Sequence, residues 1–283
     1  MKKFDVKSRK HRRGGFTLIE LVMVVMILAI VAGLAVPVVG WLRRSANYAA
    51  QASTTGSLAS NLEFFRSTYG NNGYPDNLDS LLLSTDTGTV IPYSDGGWGD
   101  LFVPGQITGG ALSSLNWLSA VYDHTDDPHS PNADGDPQVL QGNPGNTAIY
   151  RRAKADAFPV ALVDVAQTDE GFELMTELYP EATNLGTASA GADAAGSFTH
   201  GGETIVLVAF GIGQGNEAVG RTMTAAPLDP RVDNSEVYGR YAAIFATYPN
   251  RAGRRAQLKA IVNAKGRTTN NALTEFWQSI NPE

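Results

Sequence analysis

Cysteine is absent from all 283 residues. The chain has no disulfide to staple an exported body and no attachment point for a lipoprotein lipid, so an extracytoplasmic domain must rest on the size of its core or on metal. Histidine is scarce. His11 lies in a basic N-terminal segment, while His124, His129 and His200 fall in stretches that read as loops, where a lone histidine is ordinarily a solvated side chain. The short patterns that mark nucleophile elbows, phosphate loops and zinc proteases do not occur. Gly211-Ile212-Gly213-Gln214-Gly215-Asn216 puts Asn where a dinucleotide fingerprint needs its third glycine, and no helical pattern follows, so it reads as a glycine-rich turn. The expectation is a chain that is not an enzyme.

What the chain does have is a long apolar run and a lopsided charge. Residues 1–15 hold seven basic residues against the single acid Asp5, a net of +6, which leaves 15 basic and 27 acidic residues beyond them, a net of −12. From Leu21 to Leu42 there is no charge, and roughly 20 apolar residues suffice to cross a bilayer as a helix. A basic segment on one side of such a helix stays cytoplasmic, so the acidic body is expected to be exported. Glu20 sits just inside the N-terminal edge of the run, where a carboxylate in hydrocarbon needs a partner. A cut between Gly15 and Phe16 would create one, because the new amino group lies four residues upstream, about 6 Å of helical rise. Parallel chains shifted along a common axis could then set one Phe16 amine against a neighbour's Glu20.

A short basic leader ending in glycine, then Phe16-Thr17-Leu18-Ile19-Glu20-Leu21, resembles the processing site of type IV prepilins and type II secretion pseudopilins. The resemblance implies that prepilin peptidase, a membrane aspartyl peptidase, cuts after Gly15 and methylates Phe16. For Glu20 it implies the role of the assembly glutamate, and for Pro37 that of a helix-loosening proline. The partners it implies are further pilin or pseudopilin subunits, an inner-membrane assembly platform with its ATPase, and the lipid bilayer. Many type IV pilins close a C-terminal loop with a disulfide, so the missing cysteines favour a secretion pseudopilin, nearest the major one. The alternatives are a surface type IV pilin serving adhesion, motility or DNA uptake, and a membrane-anchored extracytoplasmic binding module or enzyme.

The expected fold is α+β: a long N-terminal helix packed on an antiparallel sheet, with an enlarged loop region and C-terminal helices. Three regions follow, a cleaved leader (1–15), a transmembrane and assembly helix (16–42) and a pilin-like extracytoplasmic domain (43–283). Tyr48, Ala52, Leu58, Leu62, Phe65 and Tyr69 recur at helical spacing, so the helix is expected to run from Phe16 to Tyr69 and stop at Gly70-Asn71-Asn72-Gly73. Asp76 reads as the N-cap of a short helix over 76–83. Residues 84–146 read as loop with short embedded elements and the aromatic plugs Trp98, Phe102, Trp117 and Tyr122. Strands are expected at Thr147–Arg152, Pro159–Val165 and Glu203–Phe210, with a small-residue loop at Gly186–Gly202. Tyr238–Tyr248, Arg254–Ala264 and Ala272–Ile280 read as helices, making residues 215–283 an added helical section on the same core.

Two charged clusters complete the reading. Asp126, Asp127, Asp134 and Asp136 lie in a loop of alternating oxygen donors and are calcium candidates, although neither the glycine nor the closing glutamate of an EF-hand is present. No other cofactor is required. Arg251, Arg254, Arg255, Lys259, Lys265 and Arg267 form a basic cluster, with Arg251, Arg255 and Lys259 on one face if the segment is helical. Complementarity with acidic neighbouring subunits is its sharper reading, and nucleic acid ranks last because the body as a whole is negative.

Overall fold

The apolar and amphipathic stretches fold as one helix, α1 (Leu18–Thr68), in the computed structural model, which describes residues 17–82, 101–123, 148–151, 157–165, 170–186, 196–231, 238–251 and 253–280. The chain divides into two compact units, residues 1–46 and 47–283, with the boundary inside α1. In the first unit the large apolar side chains from Leu18 to Val31 are all exposed. Among the described residues no helix is long and apolar enough to cross a membrane. The side chains of residues 34–38, inside the uncharged run, lie outside the described set.

In the second unit α1 turns amphipathic with a polar start. Its buried stripe is Gln51, Thr55, Leu58, Leu62 and Phe65, at steps of four, three, four and three residues. The helix ends where expected. Gly70 N–H donates to the Phe65 carbonyl (2.9 Å) and Asn72 N–H to that of Arg66 (3.2 Å), with Asn71 and Asn72 in left-handed backbone.

Among the described residues nine strands and three further helices follow: β1 (Leu78–Asp79), β2 (Phe102–Thr108), α2 (Gly109–Ser114), β3 (Ala120–Asp123), β4 (Ala148–Arg151), β5 (Ala157–Val163), α3 (Glu170–Leu178), β6 (Ser197–His200), β7 (Glu203–Gly211), β8 (Ala242–Thr247), β9 (Gln257–Val262) and α4 (Thr269–Ile280). The strands form one sheet, antiparallel except for the β1–β3 pair, with β7 as its hub pairing β1, β5, β6 and β8. Alternation along β7 builds two cores. Val206, Val208 and Phe210 join Leu58, Leu62 and Phe65 of α1, whereas Ile205, Leu207 and Ala209 join Leu174, Met175 and Tyr179 from α3 and the residue after it. Because both faces are covered, β7 reads as a continuous apolar run.

Several expectations need correction. Residues 76–82 are not helical. Asp76 Oδ1 accepts from Asn77 N–H and from Ser119 N–H, both 2.9 Å, and Asn77 has a φ of 58°, so the carboxylate fastens a distant loop and the chain enters β1. Tyr238–Tyr248 and Arg254–Ala264 are not helices either, since they contribute β8 and β9, whereas the third expected helix, Ala272–Ile280, is present within α4. The alanines of β8 suggest helix by propensity, but its side chains alternate between the two cores, and context decides. The loop expected at Gly186–Gly202 holds β6, whose hairpin with β7 turns at Gly201 and Gly202, both at positive φ. Within 84–146, β2 is a full strand despite Pro104 and Gly105. It lies at the end of the sheet path, where proline costs no ladder partner. Helix α3 has no counterpart among the expected elements.

Candidate functional site

The geometry at the start of α1 explains how one acid is accommodated there. Thr17 N–H donates to Glu20 Oε2 (2.8 Å), the Thr17 hydroxyl donates to the same oxygen (2.9 Å), and Glu20 N–H points back at Thr17 Oγ1 (3.4 Å). This is a capping box, in which an N-cap threonine and a glutamate three residues on satisfy each other's backbone donors. The Thr-x-x-Glu spacing carries the signal, and the reading of Glu20 as an intermolecular partner passed over it. Glu20 also lies in the first turn, where a carboxylate complements the helix dipole. Helix α1 is unbroken through Pro37. Gly15 and Phe16 lie outside the described residues.

From Leu18 onward the helix presents exposed apolar side chains, including Leu21, Met23, Ile27, Leu28 and Ile30. An exposed surface of that extent marks a place where lipid or other chains bind. The arrangement has no chemistry of its own: a capped helix end, one acid and a large apolar surface suit anchoring and packing.

A second polar site lies wholly in the core, and sequence reasoning missed it. Asp79, fully buried on β1, accepts from the Tyr238 hydroxyl (2.8 Å), while its Oδ1 has no hydrogen-bond partner among the described residues. Burial raises the Asp79 carboxyl from its ordinary value to about 7, opposed by the Tyr238 hydrogen bond and by the charge of Arg240. The same burial, with Asp79 beside it, pushes the Tyr238 hydroxyl well above the usual range. Gly213 completes the niche. A Cβ at that position would fall 2.0 Å from Asp79 Oδ2 and 2.1 Å from Oδ1, so the glycine-rich segment after β7 is a packing device around a carboxylate. Gly213→Ala is expected to destabilise the body by about 1–3 kcal/mol in denaturant unfolding, and an unchanged midpoint would show that the niche relaxes freely.

Nearby, Gln51 of α1 donates to Asp229, which also accepts from Arg231 N–H (3.0 Å), and the Arg231 guanidinium lies 4.5 Å from the centre of the Tyr48 ring. This clasp explains why a glutamine is fully buried on the helix.

The basic cluster does not form a helical face, because Arg255 and Lys259 flank and enter a strand. Four of its guanidinium groups are engaged within the body. Arg251 Nη2 lies 2.9 Å from Glu203, Arg254 pairs with the same carboxylate and stacks on Tyr248, Arg255 donates to the Asn71 carbonyl (2.9 Å), and Arg267 meets Glu170 (3.0 Å). The calcium candidates Asp126, Asp127, Asp134 and Asp136 lie outside the described residues, and among the described residues no group of three or more potential metal ligands occurs. Of the aromatic plugs, Trp117 packs against Tyr74 and Phe245, and Phe102 is buried on β2, whereas Trp98 lies outside the described residues.

Fold and site together define a chain with a capped apolar helix running into an α+β body. Residues 10–36 match the family model described as the prokaryotic N-terminal methylation motif, a stretch that takes in Gly15, Phe16, Glu20 and most of the apolar run. The chain therefore carries the N-terminal signature of type IV pilins and pseudopilins. That motif implies processing by prepilin peptidase and assembly with other pilin subunits. No curated protein and no solved structure matches the chain.

Proposed function

We propose that the chain is a structural subunit of a pilus-like filament, and within that class a type II secretion pseudopilin. The observation that carries the reading is the exposed apolar face of α1 with Glu20 in its first turn, directly behind the processing motif. Prepilin peptidase releases the leader at Gly15–Phe16, and the mature chain waits in the inner membrane with its body on the far side. An ATPase-driven platform then draws subunits into a fibre whose core is the N-terminal helices, so the work of the chain is mechanical. The missing cysteines support the secretion branch over the surface pilins.

Deleting the gene in its host separates the two branches. The secretion reading expects exported proteins to accumulate in the periplasm while surface fibres remain. Loss of surface fibres, adhesion or DNA uptake with secretion intact would replace it with the surface pilin.

A further inference from the structure

Helix α4 leaves one stripe uncovered although both its start and its inner face are fixed. Asn271 N–H donates to Thr268 Oγ1 (3.3 Å), and the Thr268 hydroxyl donates in turn to the Glu177 carboxylate (3.1 Å), an N-cap tied to α3. Ala272 is buried, and Phe276 four residues on sets its ring 5.9 Å from that of Tyr48 on α1. One position further round, Leu273 and Trp277 point away from the body at 38% and 59% exposure. Two side chains cannot build a stable dimer contact, since specific interfaces bury on the order of 1,200 Å² or more.

The chain itself indicates what covers them. Tyr48, the residue α4 packs on, lies six residues after Leu42, the last of the uncharged run. Six residues span at most about 20 Å whatever their conformation. A run held in the bilayer thus keeps Tyr48 close to the edge of the hydrocarbon layer, where tryptophan and tyrosine are enriched because their rings are apolar with a polar edge. Arg43 and Arg44 follow Leu42 in the sequence, and Arg231 lies over Tyr48, which supplies cations for anionic headgroups.

We propose that α4 is an interfacial anchor: before assembly, Leu273 and Trp277 rest in the headgroup layer of the membrane that holds the N-terminal run. This rests on the membrane-anchoring part of the function proposed above. Entry into a filament then requires α4 to leave the lipid, so the contact opposes extraction of the subunit.

The cysteine-free chain permits a direct test. Full-length processed protein carrying Leu273→Cys, labelled with an environment-sensitive fluorophore, is reconstituted into vesicles of phosphatidylethanolamine and phosphatidylglycerol containing a headgroup-level nitroxide lipid. Ser60→Cys is the control, exposed and twelve residues along α1 from Tyr48, about 18 Å of rise. The expected result is a blue-shifted, nitroxide-quenched emission at position 273 and neither effect at position 60. Adding Trp277→Ser should lose the shift without moving the thermal midpoint, since that ring is mostly exposed. Water-like emission at 273 in protein that floats with the vesicles would overturn the proposal and leave anchoring by the N-terminal run intact. A shift that grows with protein density and resists the nitroxide would also overturn it, because a second copy would then be the cover. Protein that fails to float would remove the anchoring reading, and this inference with it.

Discussion

Replacing Glu20 with glutamine abolishes filament formation as completely as replacing it with alanine, while cleavage of the leader proceeds in both variants. This is the expected result because the two substitutions separate the capping role seen in the structure from the intermolecular role proposed for the same side chain. Glutamine serves in a capping box as well as glutamate does, so Glu20→Gln preserves the acceptor for Thr17 N–H and loses only the charge. Alanine loses both. If the acid matters chiefly as a helix cap, glutamine assembles and alanine does not. If it matters as the partner of a Phe16 amine on a neighbouring chain, neither assembles. Thr17→Val supplies the reciprocal control, since it removes the capping hydroxyl and leaves the charge, and filaments should persist. Electron microscopy and sedimentation of the three variants give the readout. Unchanged filaments in Glu20→Ala would point to an anchored domain that has only borrowed the export segment.

The second large effect concerns stability. Asp79 titrates near 3.8 in an unfolded chain and is raised to about 7 by burial in the fold. The folded state therefore binds this proton more tightly, and its contribution is complete below about pH 4. It declines as pH rises from there to about 7 and is flat above, where the buried carboxylate is charged. Each pH unit between those two titration points is worth about 1.4 kcal/mol, so the loss across that window is on the order of a few kcal/mol. Asp79→Asn is expected to raise the unfolding midpoint at pH 8 and to leave it nearly unchanged near pH 4, because asparagine keeps an acceptor for the Tyr238 hydroxyl without the charge. Thermal unfolding at the two pH values checks this. A wild-type body whose stability rises between pH 4 and pH 7, with no gain from asparagine at pH 8, would contradict it.

How much of the fold was legible in the sequence depends on how local the governing interactions are. Helix α1 was readable to within two residues at each end, because the apolar period and the Gly-Asn-Asn-Gly stop are local signals. The strand β7 was readable for the same reason. The strands β8 and β9 were not. Ala242, Ala243 and Ala246 score as helix formers, and only the neighbouring strands β7 and β9 turn them into a ladder. Asp76 looked like a helix cap because its use by Ser119, 43 residues away, cannot be seen locally. The Asp79 niche is more remote still, with its hydroxyl donor 159 residues downstream. The capping box at Thr17 and Glu20 was readable and was passed over, because the charge in an apolar run invited a longer-range partner.

The structure also changes what the basic residues near the C-terminus mean. Arg251 and Arg254 share Glu203, so mutating that pair tests the body's own cohesion before it tests any contact between subunits.

Processing and assembly both turn on the amino terminus that the mature chain carries. Mass spectrometry of protein purified from membranes of its host should find a chain that begins at Phe16 with a methylated amino group. A chain that still begins at Met1, in cells where prepilin peptidase is active, would contradict both.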